Sequence, residues 1–273
     1  MDNRQDQARR FRPFPDAEQD RRQAQQVPDT PQTRHPAYRL AFADDDFLMQ
    51  DALRPVRLQL ELVKPEMLMA ERDIASTVVM FGGARVPAPG DDVTRPGQAA
   101  LAPFYETARE FARLVTQKSV ATGCRDHVIV TGGGPGVMEA GNRGAAEAGG
   151  ISIGLNIVLP HEQAPNQYVT PELSFNFHYF AIRKMHFLMR AKAITVFPGG
   201  FGTLDELFET LTLIQTRRME PVPFLLFGRQ FWETVINWQA LAEAGTIAPE
   251  DLDLFRYVDT AQEAVAALED WSV

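Results

Sequence analysis

Hydrophobic and polar positions show no regular period in the first 36 residues and a clear one afterwards. Residues 1–36 are dominated by arginine, glutamine, aspartate and proline. Such a segment buries too little apolar surface to offset its ordering entropy, so we predict a disordered polar tail. Residues 37–76 turn helical, and Asp44 with the two aspartates after it suits a helix N-terminus. Pro55 and Pro65 predict breaks or kinks in this helical lead-in.

After Ser76, short apolar runs alternate with amphipathic stretches as far as the C-terminus. The predicted strands are Thr77–Phe81, Val128–Thr131, Ile151–Leu155, Ile194–Phe197, Pro223–Phe227 and a short one at Arg256–Val258. The predicted helices cover residues 99–118, 136–148, 179–191, 203–216, 231–242 and 261–271. Continuous apolar strands separated by helices indicate a parallel sheet covered on both faces. We therefore predict an α/β fold in which residues 77–273 form a single domain.

Composition and charge exclude several classes of protein. The 273 residues are 45% hydrophobic and 23% charged, which is ordinary for a globular protein. A net charge of −9 argues against duplex nucleic acid as the main partner. No apolar run approaches the roughly 20 residues of a membrane helix. The N-terminus lacks the apolar core of a secretory signal, so we expect a cytoplasmic protein. A single cysteine, Cys124, excludes internal disulfides and a multi-cysteine zinc site.

Three predicted strands end in glycines. The runs are Gly82–Gly83, Gly132–Gly136 and Gly199–Gly202, and the last two lead directly into predicted helices. Ligands of open parallel sheets bind at the carboxyl ends of the strands. Glycines let backbone N–H groups approach a ligand, and a helix N-terminus adds positive potential, so such a turn suits an anion. A single turn of this kind is explained by tight chain connection, but two at equivalent positions favour a phosphate-bearing ligand.

Several nucleotide motifs are absent. The dinucleotide fingerprint fails because Val137 and Asp205 stand where it requires its last glycine. No acidic residue ends the strand Ile151–Leu155 to bind a ribose diol. The chain contains no Gly-Lys pair, which excludes a P-loop. A mononucleotide or a sugar phosphate fits the glycine turns better.

The candidate catalytic side chains follow the third glycine run or precede its strand. Glu206 stands three residues after Thr203, which is the spacing of a helix capping box and equally of a carboxylate that faces a bound sugar. The spacing leaves both interpretations open. Arg183 and Lys184 interrupt an apolar helix, where they either decorate the surface or reach a phosphate. The histidines have no carboxylate at metal-ligand spacing, so we expect no metal site.

Three blocks of this sequence together resemble the LOG (Lonely guy) family, whose members are often labelled possible lysine decarboxylases. The blocks are GGGPGVMEA at residues 132–140, the pair Arg183-Lys184, and PGGFGTLDE at residues 198–206. The family signature P-G-G-x-G-T-x-x-E is matched at every fixed position. The similarity spans about Thr77 to Trp238.

The resemblance implies a Rossmann-like fold and a phosphoribohydrolase, an N-glycosidase of cytokinin biosynthesis. Such enzymes hydrolyse cytokinin riboside 5′-monophosphates, and in many cases AMP, to the free base and ribose 5-phosphate. The resemblance implies no cofactor. It does imply a homodimer or a larger homo-oligomer. The resemblance leaves two alternatives open. One is a non-catalytic protein of the same fold that binds a nucleotide or carries molybdenum cofactor, and the other is hydrolysis of a different nucleotide, such as a pyrimidine or modified monophosphate. Lysine decarboxylation is disfavoured because nothing in the sequence indicates a pocket for pyridoxal phosphate.

The resemblance also implies roles for individual residues. Arg183 and Glu206 correspond to the family's catalytic pair. The residues expected to bind the substrate or its phosphate are Gly133, Gly134, Gly136, Met138, Lys184, Gly199, Gly200, Gly202 and Thr203.

Overall fold

A computed structural model describes residues 14–93, 95–160 and 164–271, and its residue contacts divide the chain into two units, 1–60 and 61–273. The short α-helices in the described part of the first unit are α1 (Ala17–Ala24), α2 (Pro31–Arg34) and α3 (Asp45–Leu48). Asp44 caps α3 as predicted, because its side chain accepts a hydrogen bond from the N–H of Phe47. Residues 1–13 of the expected tail lie outside the described part of the chain. The disorder of the tail and the division of the chain into regions 1–36, 37–76 and 77–273 stay predictions.

The expected interruption of the lead-in occurs at Pro55 but not at Pro65, because α3 ends at Leu48 and α4 begins at Arg54. Helix α4 runs unbroken over Arg54–Glu71 with Pro65 inside it. A proline inside a helix leaves the carbonyl four residues earlier, here that of Glu61, without its usual donor. Nε2 of His186 lies 3.1 Å from this carbonyl oxygen and supplies a replacement hydrogen bond. Pro55 is the second residue of the helix, where a missing N–H group costs nothing.

Seven strands form one parallel sheet in the second unit. In chain order they are β1 (Thr77–Phe81), β2 (Val128–Thr131), β3 (Ser152–Ile157), β4 (Ser174–Phe177), β5 (Ala191–Val196), β6 (Phe224–Phe227) and β7 (Arg256–Val258). Their spatial order is β4-β3-β2-β1-β5-β6-β7, and every pairing is parallel. In the register of the two central strands, Val79 lies opposite Ile194.

Helices cover both faces of this sheet. The helices of the second unit that follow α4 are α5 (Pro96–Ala99), α6 (Pro103–Ala121), α7 (Val137–Glu147), α8 (Phe180–Leu188), α9 (Phe201–Gln215), α10 (Arg229–Val235), α11 (Trp238–Glu243) and α12 (Ala261–Glu269). Along β1, Val78 and Met80 pack in a core formed with α6, α7 and α12. Val79 and Phe81 pack in the opposite core with α8, α9 and α10. The predicted α/β class, a Rossmann-like parallel sheet between two helical layers, is therefore confirmed. No helix in the described ranges is both long and apolar enough to cross a membrane.

Two elements differ from the sequence prediction. Strand β4 lies at the edge of the sheet in a stretch for which no strand was predicted, and it alternates buried Phe175 and Phe177 with exposed Asn176. The helix expected over residues 231–242 is divided into α10 and α11. The division occurs where Asn237 begins a new helix by accepting a hydrogen bond from the N–H of Ala240, 3.0 Å away.

The chain order places a crevice at the centre of the sheet. The chain builds outward from β1 to β4 and then returns to place β5 on the other side of β1. Open α/β sheets bind ligands at such a reversal, outside the carboxyl ends of the two strands that flank it. Here the flanking strands are β1 and β5, and both are followed by glycines.

Candidate functional site

A cavity of about 1230 Å³ lies at this reversal. It is lined by three segments that follow strands, which we call the β1 turn (residues 82–85), the β2 turn (132–136) and the β5 turn (198–202), and by side chains of α7, α8 and α9. The predicted site residues that line it are Met138, Arg183, Gly199, Gly200, Gly202, Thr203 and Glu206. The cavity-lining residues do not include Gly133, Gly134, Gly136 or Lys184.

The β5 turn presents an uncapped helix N-terminus to the cavity. Helix α9 begins at Phe201, and Gly200 in the cap position gives it no side-chain hydrogen bond. The first backbone N–H groups of a helix have no partner within the helix. A methyl group added at Gly200 or Gly202 would have no protein atom within 4 Å. Packing therefore does not require glycine at these two positions, whereas the close approach of a ligand to the backbone would.

Thr203 lies within the first turn of α9 and folds back on the β5 turn. A methyl group at Gly199 would come within 2.1 Å of the Thr203 hydroxyl oxygen, so this glycine makes room for the threonine. Because the helix starts at Phe201, Thr203 is its third residue and does not cap it. The capping-box interpretation of Thr203 and Glu206 is therefore wrong. Glu206 is left as a carboxylate in the wall of the cavity.

Arg183 and Glu206 face each other across the cavity wall. Nη1 of Arg183 lies 3.7 Å from Oε1 of Glu206, and each side chain is 11% exposed. Nε of Arg183 donates a hydrogen bond to the carbonyl of Leu155 at 2.7 Å, and its guanidinium lies over the ring of Phe187. Three elements thus fix the arginine, so its charge is held beside the carboxylate. Helices α8 and α9 bring together two residues that are 23 positions apart in the chain.

Burial dominates the ionisation of Glu206. Desolvation raises the pKa of this carboxyl group above its ordinary value, while the charge of Arg183 acts in the opposite direction and is the smaller effect. The separation of 3.7 Å is longer than a hydrogen bond, so Arg183 offsets only part of the desolvation. A buried carboxylate with a raised pKa beside a fixed cation is typical of general acid–base and electrostatic catalysis.

The glycines of the β2 turn are required by close contacts within the protein. A methyl group at Gly132 would lie 2.6 Å from Nη2 of Arg183, and one at Gly133 would lie 2.2 Å from Oδ1 of Asn156. Gly136 adopts a φ of +69°, and a methyl group there would lie 2.4 Å from the carbonyl oxygen of Gly83. Among these glycines, only Gly132 lines the cavity.

Hydrogen bonds that involve asparagine side chains stabilise the β2 turn from outside the cavity. Nδ2 of Asn166 donates to the carbonyls of Gly133 and Gly134 at 3.1 and 3.0 Å and to Oδ1 of Asn142 at 2.9 Å. The same Oδ1 accepts from the hydroxyl of Thr131, which in turn accepts from the N–H of Gly133. These bonds occupy the N–H group of Gly133 and the carbonyls of Gly133 and Gly134. The β2 turn therefore supports the pocket from outside.

Lys184 points away from the cavity. Its Nζ lies 2.8 Å from Oδ2 of Asp205 and 3.0 Å from Oε2 of Glu209, and these contacts raise its pKa despite the opposing desolvation. Arg183 and Lys184 are adjacent on α8 and therefore project about 100° apart. The structure brings Arg183 into the site and joins Lys184 to carboxylates of α9 instead.

Sequence reasoning missed four residues that shape or line this site. Asn166 donates hydrogen bonds to the β2 turn, and Asn156 lies against Gly133. Arg85 and Arg95 line the cavity from the segment that follows β1. Neither asparagine belongs to a local motif. Arg85 has one weak signal in the sequence, since it stands two residues after the glycines that end β1.

The sequence matches a family described as "Possible lysine decarboxylase" over residues 138–268. This range includes Arg183, Glu206 and the β5 turn. A "Probable cytokinin riboside 5′-monophosphate phosphoribohydrolase LOGL5" of Oryza sativa subsp. japonica is 26% identical over 147 residues, which cover 53% of this chain and 58% of that protein. The "Cytokinin riboside 5′-monophosphate phosphoribohydrolase LOG3" of Arabidopsis thaliana is 24% identical over 148 residues, covering 53% and 67%. These matches confirm the resemblance to the LOG family.

Solved structures with a similar fold share little sequence with this chain. An X-ray structure of a structural genomics target, TM1055, superposes with a TM-score of 0.48 at 21% identity, covering 72% of this chain and 99% of the other. The molybdenum cofactor binding protein from the phototrophic bacterium Rippkaea orientalis gives a TM-score of 0.46 at 17% identity, covering 71% and 95%.

Proposed function

We propose that this protein is a phosphoribohydrolase that cleaves the N-glycosidic bond of a nucleoside 5′-monophosphate. The observation that supports this most is the buried Arg183–Glu206 pair in the wall of a cavity that also contains an uncapped helix N-terminus. One end of the site suits a phosphate, and the other places a carboxylate where a sugar would lie. The similarity to the two plant phosphoribohydrolases supports the same reaction.

The β5 turn binds the 5′-phosphate in this proposal. The free N–H groups at the start of α9 point toward the anion, and the positive end of the helix dipole favours its charge. Gly200 and Gly202 leave the space that the phosphate oxygens need. Binding energy from a phosphate remote from C1′ positions the ribose against Glu206, so a substrate without phosphate loses rate as well as affinity.

Glu206 stabilises the reacting ribose. When the bond between C1′ and the base nitrogen breaks, its electron pair leaves with the base, which takes up a proton, and C1′ becomes oxocarbenium-like. The ionised carboxylate stabilises this positive charge. A water oxygen then forms the new bond to C1′, and Glu206 accepts the proton that this water loses. The products are the free base and ribose 5-phosphate.

Arg183 favours the ionised form of Glu206. Its hydrogen bond to Leu155 and its contact with Phe187 fix the guanidinium beside the carboxylate. Its charge lowers the pKa of Glu206 against the effect of burial. The ionised form of Glu206 is the one that stabilises C1′, so activity falls as the pH drops through the raised pKa of this group.

The substrate class in this proposal is a purine nucleotide, either a cytokinin riboside monophosphate or AMP. Apolar side chains that line the cavity, among them Leu101, Ile157 and Phe187, suit the flat faces of a purine. Homo-oligomer formation and a cytoplasmic location stay predictions from the sequence.

The direct test compares two nucleotides and two variants. The purified protein is incubated with AMP and with isopentenyladenosine monophosphate, and released base is quantified by chromatography. We expect base release from at least one nucleotide, and large losses in Glu206→Gln and Arg183→Ala. Release that neither substitution reduces contradicts the assigned residues. Tight nucleotide binding with no base released contradicts the enzyme and supports a binding protein.

A further inference from the structure

Two arginine side chains line the cavity without a partner of their own. Arg85 belongs to the β1 turn, and Arg95 immediately precedes α5. Within the described ranges, neither side chain forms a hydrogen bond, an ion pair or a ring contact, and both residues are exposed. Their charges therefore face the space of the cavity and the solvent at its mouth.

This differs from the behaviour of two arginines on the neighbouring helix α6. Arg109 pairs with Glu106 and Glu147, and Arg113 pairs with Glu110. With 36 acidic residues against 27 basic ones, a carboxylate partner is readily available on the surface. Two unpaired arginines on the wall of one cavity are therefore not explained by the need to neutralise protein carboxylates.

The carboxylates of the cavity wall already have cations. Among the described residues, the acidic ones that line it are Asp205 and Glu206. Lys184 lies 2.8 Å from the first, and Arg183 lies 3.7 Å from the second. The charge of Arg85 and Arg95 is thus in excess, and an anionic ligand would balance it.

The β1 turn lies directly against the β5 turn. The N–H of Gly83 donates to the carbonyl of Pro198 at 3.0 Å, and a methyl group at Gly83 would lie 3.2 Å from Cα of Gly199. Arg85 follows two residues later, and both turns line the same cavity. The backbone therefore places Arg85 beside the helix N-terminus that faces the cavity.

We propose that Arg85 and Arg95 bind the phosphate group of the substrate together with the N-terminus of α9. A phosphate monoester carries about −1.5 to −2 charges at neutral pH, which two arginines neutralise. Arginine also offers paired N–H donors that match two phosphate oxygens. This assignment rests on the proposed function for the identity of the ligand, but phosphate binding itself does not require that a glycosidic bond be broken.

Calorimetric titration with ribose 5-phosphate tests the assignment without any turnover. Arg85→Ala and Arg95→Ala are each expected to weaken binding about tenfold or more, as expected for loss of a charge-assisted hydrogen bond. Arg85→Lys is expected to restore part of the affinity, because a cation returns without the paired donors. Arg218→Ala is the matched control, since Arg218 is equally exposed but does not line the cavity, and its affinity is expected to equal that of the unmodified protein.

The result separates this assignment from the proposed function. An unchanged dissociation constant in Arg85→Ala overturns the role of Arg85, and the same result in Arg95→Ala overturns that of Arg95. No binding of ribose 5-phosphate by the unmodified protein overturns both. Arginine-dependent binding in a protein that releases no base from nucleotides supports the phosphate site and overturns the hydrolase.

Discussion

The β2 turn and the β5 turn look alike in sequence and differ in the structure. Each follows a buried strand, is rich in glycine and leads into a helix. In the β2 turn, protein atoms occupy the space around Gly132, Gly133 and Gly136. In the β5 turn, the space around Gly200 and Gly202 is open. The same pattern therefore supports the pocket in one place and faces the ligand space in the other.

This difference shows how to separate structural glycines from binding glycines. A structural glycine is explained by a neighbouring protein atom, as the carbonyl of Gly83 explains Gly136. A glycine that we propose to bind a ligand has no such neighbour and lines a cavity, as is the case for Gly200. The comparison predicts that substitutions in the β2 turn affect stability and that those in the β5 turn affect ligand binding.

The largest expected effect concerns the carboxylate that follows the β5 turn. Glu206→Gln removes a charge with little change in shape, so kcat for AMP hydrolysis is expected to fall about 100-fold or more while KM changes little. Steady-state kinetics measures both constants. Glu209→Gln is the matched control, because Glu209 lies one turn further along α9 and contacts Lys184 outside the cavity.

Protein stability distinguishes this loss from unfolding. Burial raises the pKa of Glu206, so its contribution to stability is present at low pH and is lost as the pH rises through that raised pKa. Glu206→Gln is therefore expected to unfold at the same temperature as the unmodified protein, or a higher one, at neutral pH. A kcat within threefold of the unmodified enzyme contradicts the role of Glu206.

The next effect tests the β2 turn as structure. Gly136→Ala adds a methyl group 2.4 Å from a backbone oxygen at a φ of +69°, so the free energy of unfolding is expected to fall by about 2–4 kcal/mol. Urea denaturation measures it. Gly149→Ala provides the control, because its φ is +75° but no atom lies within 4 Å. Equal losses in the two variants would show that the contact with the β1 turn contributes nothing.

The third effect tests the β5 turn as a binding surface. Gly202→Ala places a methyl group in the open space at the start of α9, so kcat/KM for AMP is expected to fall about tenfold because the phosphate cannot approach the backbone as closely. The free energy of unfolding is expected to stay constant or to rise by up to about 1 kcal/mol, since alanine favours helix. The comparison fails if this variant loses stability and keeps its activity.

The smallest effect concerns Lys184. Its charge lowers the pKa of Glu206, so Lys184→Met is expected to move the acid limb of kcat/KM to higher pH and to reduce activity a few-fold below neutral pH. The pH profile measures this shift, and Lys184→Arg keeps the charge as a control. An unchanged acid limb, with activity lowered equally at every pH, would instead indicate direct contact with the substrate.

The pattern of neighbouring residues predicted an element correctly where short-range interactions along the chain determine that element. The β-branched apolar runs at Thr77–Phe81 and Val128–Thr131 predicted β1 and β2 to the residue. Strand β4 was missed because an edge strand of four residues has too short an alternation to identify it. The continuity of α4 through Pro65 depends on His186, which lies 121 residues further along the chain, so no local pattern could show it.

The residues of the candidate site likewise fall into those that the sequence predicted and those that only the tertiary structure shows. The resemblance to the LOG family singled out Arg183 and Glu206, and the structure places them 3.7 Å apart. The sequence does not show which of two adjacent helix residues faces a pocket, so Lys184 was predicted to bind the substrate or its phosphate although it lies outside the cavity lining. Asn166 reaches the β2 turn through tertiary hydrogen bonds, which its surroundings in sequence do not reveal.

The central claim is that the two turns, with Arg183 and Glu206, assemble a site for cleaving a nucleotide between base and ribose. Product analysis after incubation with AMP tests it most directly, with adenine, adenosine, phosphate and ribose 5-phosphate quantified together over time. We expect adenine and ribose 5-phosphate to appear in equal amounts. Unchanged AMP, or adenosine with free phosphate, would contradict it.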